Sequence, residues 1–172
     1  MRRRVLVIGY GNPGRLDDGL GPAFAARIDS LGLEGVTVDA DYQLAVEDAQ
    51  AVAGHEVVLF ADAALAGPEP FDVTRVFPGR EGQVSFSSHS VDPPEVLALA
   101  EGLFGSRAEG YALAIRGYEF DEFGERLSDG ARRNLDLALQ AVAPILAEGR
   151  LEALLRPAQG ERGTAPGKVS EA

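Results

Sequence analysis

The sequence predicts an α/β fold, a three-layer sandwich in which a twisted, mostly parallel sheet of about five strands carries helices on both faces. Short runs of β-branched and leucine residues alternate with segments of helical periodicity. The runs at 4–8 and 57–61 are apolar throughout, as in strands buried on both faces. With 172 residues, of which 45% are hydrophobic, the chain is long enough for one core. We therefore expect a single domain over 1–156 and, because apolar periodicity ends there, a disordered tail over 157–172.

The first half of the chain is predicted to contain three strands and two helices. The strands are expected at 4–8, 35–39 and 55–62, and the helices at about 22–31 and 46–53. Pro22 marks the start of the first helix, since proline is well accepted at a first helical position. The third strand is expected at the centre of the sheet.

The second half begins with an edge strand. Residues 71–77 alternate apolar with polar side chains, which indicates one solvated face and is compatible with an antiparallel orientation. A helix over 93–104 is predicted from Asp92 as N-cap and Glu95 as the partner that closes a capping box. The remaining elements are a strand at 109–116 and a helix at 129–146, capped by Ser128, that could extend to Leu155.

Charge and composition exclude several classes of protein. The formal net charge of −11 argues against binding to nucleic acid or to an anionic membrane. The short basic run Arg2–Arg4 opens directly into a strand, so we expect neither a signal peptide nor a membrane anchor. Cysteine is absent, which excludes disulfides and thiol catalysis and leaves oxygen and imidazole as metal ligands. A cytoplasmic protein fits these features best.

The loop between the first strand and the first helix is the strongest candidate for a functional site. Asp17 and Asp18 lie next to each other in a glycine-bounded segment, 9–22. In open α/β sheets, ligands bind at the carboxyl ends of parallel strands, which is where this loop belongs. The two carboxylates therefore indicate a site for a metal ion or a hydrogen-bond donor.

A dinucleotide-binding loop is the first alternative. The segment 9–14 has the spacing Gly-x-Gly-x-x-Gly, and Asp39 or Asp41 could contact a ribose. That loop works because the following helix begins within the glycines and points its amides at the pyrophosphate. Here Pro13 removes one amide donor, and the helix is predicted to begin well beyond the last glycine. Two adjacent carboxylates would also repel a diphosphate, so this interpretation is the weaker one.

Two further polar residues are expected at the same edge of the sheet. Asp62 closes the third strand, and His89 lies in a polar loop before a capped helix. Together with Asp18 they provide two carboxylates and one imidazole, a set that suits nickel, zinc or iron better than magnesium or calcium. Three ligands leave coordination positions open for water or substrate. His55, which has no suggestive carboxylate partner, is interpreted as structural.

Three segments of the sequence together resemble the hydrogenase maturation endopeptidases. They are the Gly-x-Gly-Asn motif with its acidic pair in 9–21, the strand that ends in Asp62-Ala63, and the Ser-x-His89 segment before a helix. The resemblance covers about residues 4–148 and implies a twisted sheet flanked by helices. It implies an endopeptidase that removes a short C-terminal extension from the large-subunit precursor of a nickel-iron hydrogenase.

The resemblance also assigns roles to individual residues. It implies that Asp18, Asp62 and His89 contact a metal ion, which is the nickel already held by the precursor, and that no organic cofactor is needed. Many members have glutamate at the first of these positions, so Asp18 is one methylene shorter. Serine catalysis is not expected, because Ser88 and Ser90 are sequence neighbours of His89 and cannot readily adopt triad geometry.

Three points remain open from the sequence. The acidic and aromatic segment 118–124 is either a docking loop for the precursor or a partly packed connection. The protein is expected to act as a monomer in transient contact with its precursor. A non-enzymatic metal sensor and a dinucleotide-binding protein on a similar fold are the alternative functions.

Overall fold

The computed structural model describes residues 2–79 and 91–156 and has the predicted α/β architecture. Its strands are β1 (Val5–Tyr10), β2 (Val36–Asp41), β3 (Val57–Ala64), β4 (Phe71–Val76) and β5 (Glu109–Arg116). Its helices are α1 (Leu20–Ser30), α2 (Asp48–Ala53), α3 (Pro93–Phe104) and α4 (Asp129–Glu148), with short 3₁₀ turns at Leu16–Gly19 and Leu151–Leu154. The predicted elements are therefore present within a few residues of their expected bounds.

The sheet has the strand order β2-β1-β3-β5-β4, with β3 at its centre. The pairs β1–β2, β1–β3 and β3–β5 are parallel, whereas β4 pairs antiparallel with β5 at the edge. Both expectations for strand position, β3 at the centre and the 71–77 segment at an edge, are confirmed. Because four strands share one direction, their carboxyl ends meet at a single edge of the sheet.

Helices cover both faces of the sheet, which explains the continuous apolar runs. In β1, Val5 and Val7 face the core under α1 and α4, while Leu6 and Ile8 face the core under α2 and α3. These four side chains are at most 1% exposed. Alternate residues of a strand point to opposite faces, so a strand covered on both sides needs apolar residues at every position.

The helix ends follow the predicted capping chemistry with two differences. Asp92 accepts a hydrogen bond from the Glu95 backbone N–H (2.9 Å), and the Ser128 hydroxyl accepts one from the Ala131 N–H (3.2 Å). The capping box is only half formed, because the buried Oε2 of Glu95 has no hydrogen-bond partner among the described residues. The last helix does not extend to Leu155, since Gly149 adopts a left-handed conformation (φ 70°) that ends α4.

Two of the sequence-based expectations lie outside the described residues. They concern His89 and the tail over 157–172. Within the described segments, each helix is too short or too polar to cross a membrane.

Candidate functional site

Close packing between β1 and α1 sets the position of the candidate site. A Cβ added at Gly9 would lie 2.2 Å from the Gly21 carbonyl oxygen, and one added at Gly21 would lie 2.3 Å from the Tyr10 carbonyl oxygen. Only hydrogen fits at either position, so the helix backbone rests directly on the strand. The glycines at 9 and 21 therefore serve helix–strand contact.

The 3₁₀ turn Leu16–Gly19 occupies the space that a dinucleotide would need. Gly11 has φ +142°, and a Cβ on it would lie 2.1 Å from the Asp18 carbonyl oxygen. The chain's own backbone thus covers the glycine that would have to approach a pyrophosphate. The helix begins only at Leu20, well beyond Gly14. The geometry of this loop disfavours the dinucleotide interpretation.

Asp18 is held at the carboxyl end of β1 by the loop that precedes it. Its Oδ2 accepts a hydrogen bond from the Asn12 backbone N–H (2.8 Å), and its own N–H donates to the Arg15 carbonyl oxygen (3.2 Å). Asn12 in turn accepts a bond from the Gly14 N–H through its side-chain oxygen (2.9 Å). The Asp18 side chain is half-buried, and its Oδ1 has no hydrogen-bond partner within 2–79 and 91–156. This oxygen can therefore contact a ligand.

Asp62 lies beside Asp18 at the same edge of the sheet. The register pairs Gly9 with Ala61, so Asp62 follows directly at the end of the neighbouring parallel strand. Burial raises the pKa of the Asp62 carboxyl to about 6, against the opposing effect of a hydrogen bond from the Ala63 N–H (2.8 Å), and the negative charge of Asp18 raises it further. The structure thus brings together two of the three predicted ligands.

Tyr10 is a site residue that the sequence analysis missed. Its hydroxyl interacts with the Asp62 carboxyl group, which lowers the pKa of Asp62 and opposes the effect of burial. Burial raises the pKa of Tyr10 far above its ordinary value, and the negative charges of Asp62 and Asp92 add to that effect. The phenol therefore stays protonated and can donate a hydrogen bond to Asp62. Its only signal in the sequence is its place as the last residue of β1.

The complete three-ligand site remains a prediction. His89 lies outside the described residues, and the described part of the chain contains no group of three or more His, Asp or Glu side chains arranged to hold a metal ion. Asp18 and Asp62 nevertheless place two oxygen donors at one edge. Two carboxylates and an imidazole would form a donor set suited to nickel, zinc or iron.

Asp17 points into the protein rather than toward the site. Its side chain is 0% exposed. Oδ1 accepts the Ser128 N–H (2.7 Å), and Oδ2 accepts the Tyr118 N–H (2.8 Å), the Glu119 N–H (3.0 Å) and the Ser128 hydroxyl (2.7 Å). Burial alone would raise the pKa of Asp17, but these hydrogen bonds outweigh it and hold the pKa below its usual value. The sequence left the role of Asp17 open between a metal ion and a hydrogen-bond donor; its carboxylate accepts hydrogen bonds from inside the protein and ties the turn to α4.

The segment 118–124 packs against the turn that carries Asp18. Backbone hydrogen bonds join the Leu16 N–H to the Gly124 carbonyl (2.9 Å), the Gly124 N–H to the Gly14 carbonyl (2.8 Å) and the Asp17 N–H to the Glu119 carbonyl (3.0 Å). The segment is therefore a packed connection through its backbone. Most of its side chains are exposed nonetheless, and Phe123 is the most exposed of its aromatic residues, at 86%.

His55 lies away from this edge, at the start of β3. Its Nδ1 hydrogen-bonds with the Ala51 carbonyl oxygen (2.7 Å) at the end of α2. That contact agrees with the structural role expected from the sequence.

Comparison with known proteins identifies the fold. No family model matches the sequence, and no curated protein matches it. A [NiFe] hydrogenase maturation protease HycI from Thermococcus kodakarensis KOD1 superposes with a TM-score of 0.62 at 20% identity, covering 87% of this chain and 93% of that one. The maturating endopeptidase HybD from E. coli gives 0.59 at 18% identity, covering 86% and 93%.

A third structure agrees with these two. The hydrogenase 2 maturation peptidase from Thaumarchaeota archaeon SCGC_AB-539-E09 gives a TM-score of 0.58 at 22% identity, covering 84% of this chain and 98% of that one. The chain therefore has the fold of solved hydrogenase maturation proteases over nearly their whole length. The fold expected from the sequence resemblance is confirmed.

Proposed function

We propose that this protein is an endopeptidase that removes the C-terminal extension from the large-subunit precursor of a nickel-iron hydrogenase. The observation that carries the proposal is the meeting of Asp18 and Asp62 at the carboxyl edge of a sheet with this fold. The Gly-x-Gly-Asn motif with its acidic pair supports the same function. The shared fold with solved maturation proteases supports it independently.

In this proposal the metal ion arrives as part of the substrate. Asp18, Asp62 and His89 contact the nickel that the precursor already carries and so test whether the metal has been inserted. An oxygen and imidazole set without cysteine binds nickel weakly, whereas thiolates of a precursor hold it more tightly. The free enzyme therefore needs neither a resident metal nor an organic cofactor.

The reaction is hydrolysis of one peptide bond close to the nickel. The cation polarises the scissile carbonyl or a bound water. The water oxygen bonds to the carbonyl carbon, the C–N bond breaks, and the amine of the released extension takes up a proton. Tyr10, whose phenol stays protonated, can donate a hydrogen bond to the Asp62 carboxyl group and so orient it at the edge of the site.

The proposal also includes the cellular location, the oligomeric state and the partners of the enzyme. We infer a cytoplasmic enzyme, because the precursor must meet it during assembly and the sequence has no cysteine. It works as a monomer in transient contact with the precursor. The net charge of −11 disfavours nucleic acid and anionic membranes as partners.

The test is cleavage of a nickel-loaded precursor by the purified protein. We expect a shift in electrophoretic mobility and, by mass spectrometry, loss of a C-terminal peptide. A precursor without nickel should remain intact. Asp18→Asn should abolish cleavage, whereas Asp29→Asn, which changes an exposed carboxylate on α1, should not. Absence of cleavage by folded wild-type protein would exclude the enzyme and favour a metal sensor.

A further inference from the structure

Several large apolar side chains of the described residues are exposed around the edge that carries Asp18 and Asp62, and three of them are more than two-thirds exposed. Tyr42 directly follows β2 and is 69% exposed, Leu65 directly follows β3 and is 71% exposed, and Phe123 lies in the connection after β5 and is 86% exposed. We call Tyr42, Leu65 and Phe123 the apolar rim. Each lies beyond the carboxyl end of a parallel strand, so all three belong to the edge of the candidate site.

The width of the apolar rim indicates a protein surface as its partner. Strands β2 and β5 lie on opposite sides of the β1–β3 pair and are three strand spacings apart, about 14 Å at the usual separation. One substrate side chain cannot contact both ends of such a span. Large apolar and aromatic residues left exposed together are typical of surfaces that another protein covers.

The rim is continuous with the turn that carries Asp18. Tyr42 borders a shallow groove that also includes Gly11, Pro13 and Pro22. On the other side, the guanidinium of Arg15 lies 5.5 Å from the centre of the Phe123 ring. A partner seated on the rim would therefore also cover the candidate site.

Phe123 is exposed on a backbone that is already held in place. The connection that carries it is fixed by backbone hydrogen bonds from Gly124 and Leu16 and by the buried carboxylate of Asp17. Binding a rigid anchor costs less conformational entropy than binding one on a loose loop. A fixed, exposed aromatic side chain is well suited to be an interface anchor.

The charged residues beside Phe123 indicate the charge of the partner surface. Asp121, Glu122 and Glu125 are exposed, and none of them forms an ion pair with a residue of the described segments. Arg126, the basic residue next to Glu125, is already paired with Glu119 at 3.2 Å. Arg15 contributes one positive charge beside Phe123, so an excess of negative charge remains there, which would attract a surface that carries lysine or arginine.

We propose that the apolar rim is the docking surface for the folded body of the precursor, which contributes an apolar patch bordered by lysine or arginine. This inference rests on the proposed function and adds a binding surface separate from the residues that contact the metal. Docking through the folded body would hold the extension above Asp18 and Asp62. Specificity for the precursor would then come from its folded surface as well as from its nickel.

The experiment compares matched serine variants at the two edges of the sheet. Leu65→Ser and Phe123→Ser change the rim. Leu103→Ser changes a leucine of similar exposure, 65%, at the far end of α3, near the opposite edge. Dissociation constants for the nickel-loaded precursor are measured by calorimetry in proteins that also carry Asp18→Asn, so that the precursor is not cleaved during the titration. Cleavage by the proteins with Asp18 intact is followed over a range of precursor concentrations. Thermal melting confirms that each variant is folded.

Each rim variant should weaken precursor binding about tenfold or more and raise KM, with little change in kcat. Leu103→Ser should behave as wild type, and higher ionic strength should weaken binding by the wild-type protein. If the wild type cleaves the precursor but the rim variants bind it as tightly as Leu103→Ser does, the docking surface is refuted and the proposed function still stands. Binding of a synthetic extension peptide as tightly as the whole precursor would overturn it too. A wild type that neither binds nor cleaves the precursor would refute the proposed function itself.

Discussion

Replacing Asp17 by asparagine should destabilise the fold through a single buried group. The carboxylate accepts four hydrogen bonds, one at Oδ1 and three at Oδ2. Asparagine keeps one acceptor oxygen and introduces an NH₂ group that only donates. In its best orientation the remaining oxygen takes the place of Oδ2, and the new NH₂ then faces the Ser128 N–H.

The size of the effect follows from this count. An unsatisfied buried N–H costs about 1–3 kcal/mol, and a bond to a neutral rather than a charged acceptor is weaker by about 1 kcal/mol. One donor is left unpaired and three bonds are weakened. We therefore expect Asp17→Asn to lower the free energy of unfolding by about 4–6 kcal/mol, which is at the upper end for a single substitution.

Urea denaturation at pH 7, followed by circular dichroism, measures this loss. Asp121→Asn is the matched control, because its carboxylate is exposed in the connection that Asp17 holds and should change stability by less than about 0.5 kcal/mol. If both variants unfold at the same urea concentration, the hydrogen bonds to Asp17 do not stabilise the fold and the reasoning fails.

The effect should also depend on pH. The folded-state pKa of Asp17 is lowered, so its contribution to stability is fully present above its unfolded pKa of about 3.9 and is lost as pH falls through the folded value. The difference in stability between wild type and Asp17→Asn should therefore be constant from pH 5 to 8 and shrink below about pH 4. A difference that grows as pH falls would contradict this assignment.

Three further substitutions test the site. The pKa of Asp62 is about 6 in the folded protein and about 3.9 in the unfolded chain, so the stability of the wild type falls as pH rises from about 4 to about 6. Asp62→Asn removes this ionisation. Its Tm should therefore equal that of wild type at pH 4 and exceed it at pH 8, and its processing activity should be lost. A lower Tm at pH 8 would show a structural role. Asp18→Ala should abolish processing with nearly unchanged Tm, because a half-buried edge residue contributes little packing, and a large loss of Tm would argue against a ligand role. Gly11→Ala should unfold at markedly lower urea concentration than Gly102→Ala, since only the first Cβ would meet a backbone oxygen, at 2.1 Å; equal midpoints would contradict the close contact.

Much of the fold could be predicted from the sequence because the evidence was local. The apolar run in β1 specified a strand covered on both faces, and Ser128 and Asp92 marked helix starts through capping bonds that span three residues. The capping motif, which involves only neighbouring residues of the chain, could not predict that the buried Oε2 of Glu95 has no hydrogen-bond partner among the described residues. Tyr10 was missed for the same reason, because its role comes from a residue on the neighbouring strand.

Asp17 and Asp18 show why adjacent identical residues can have opposite roles. Both lie in a 3₁₀ turn, where side chains of successive residues point about 120° apart. Because Asp18 faces the site, Asp17 must point in another direction, and its carboxylate points at the N-terminus of α4. That helix start has unpaired amides that stabilise a negative charge. The two residues of the acidic pair therefore have linked roles. Asp17 fixes the turn by binding α4, and the fixed turn holds Asp18 beside Asp62. Substituting Asp17 should consequently disturb both stability and processing, whereas substituting Asp18 should disturb processing alone.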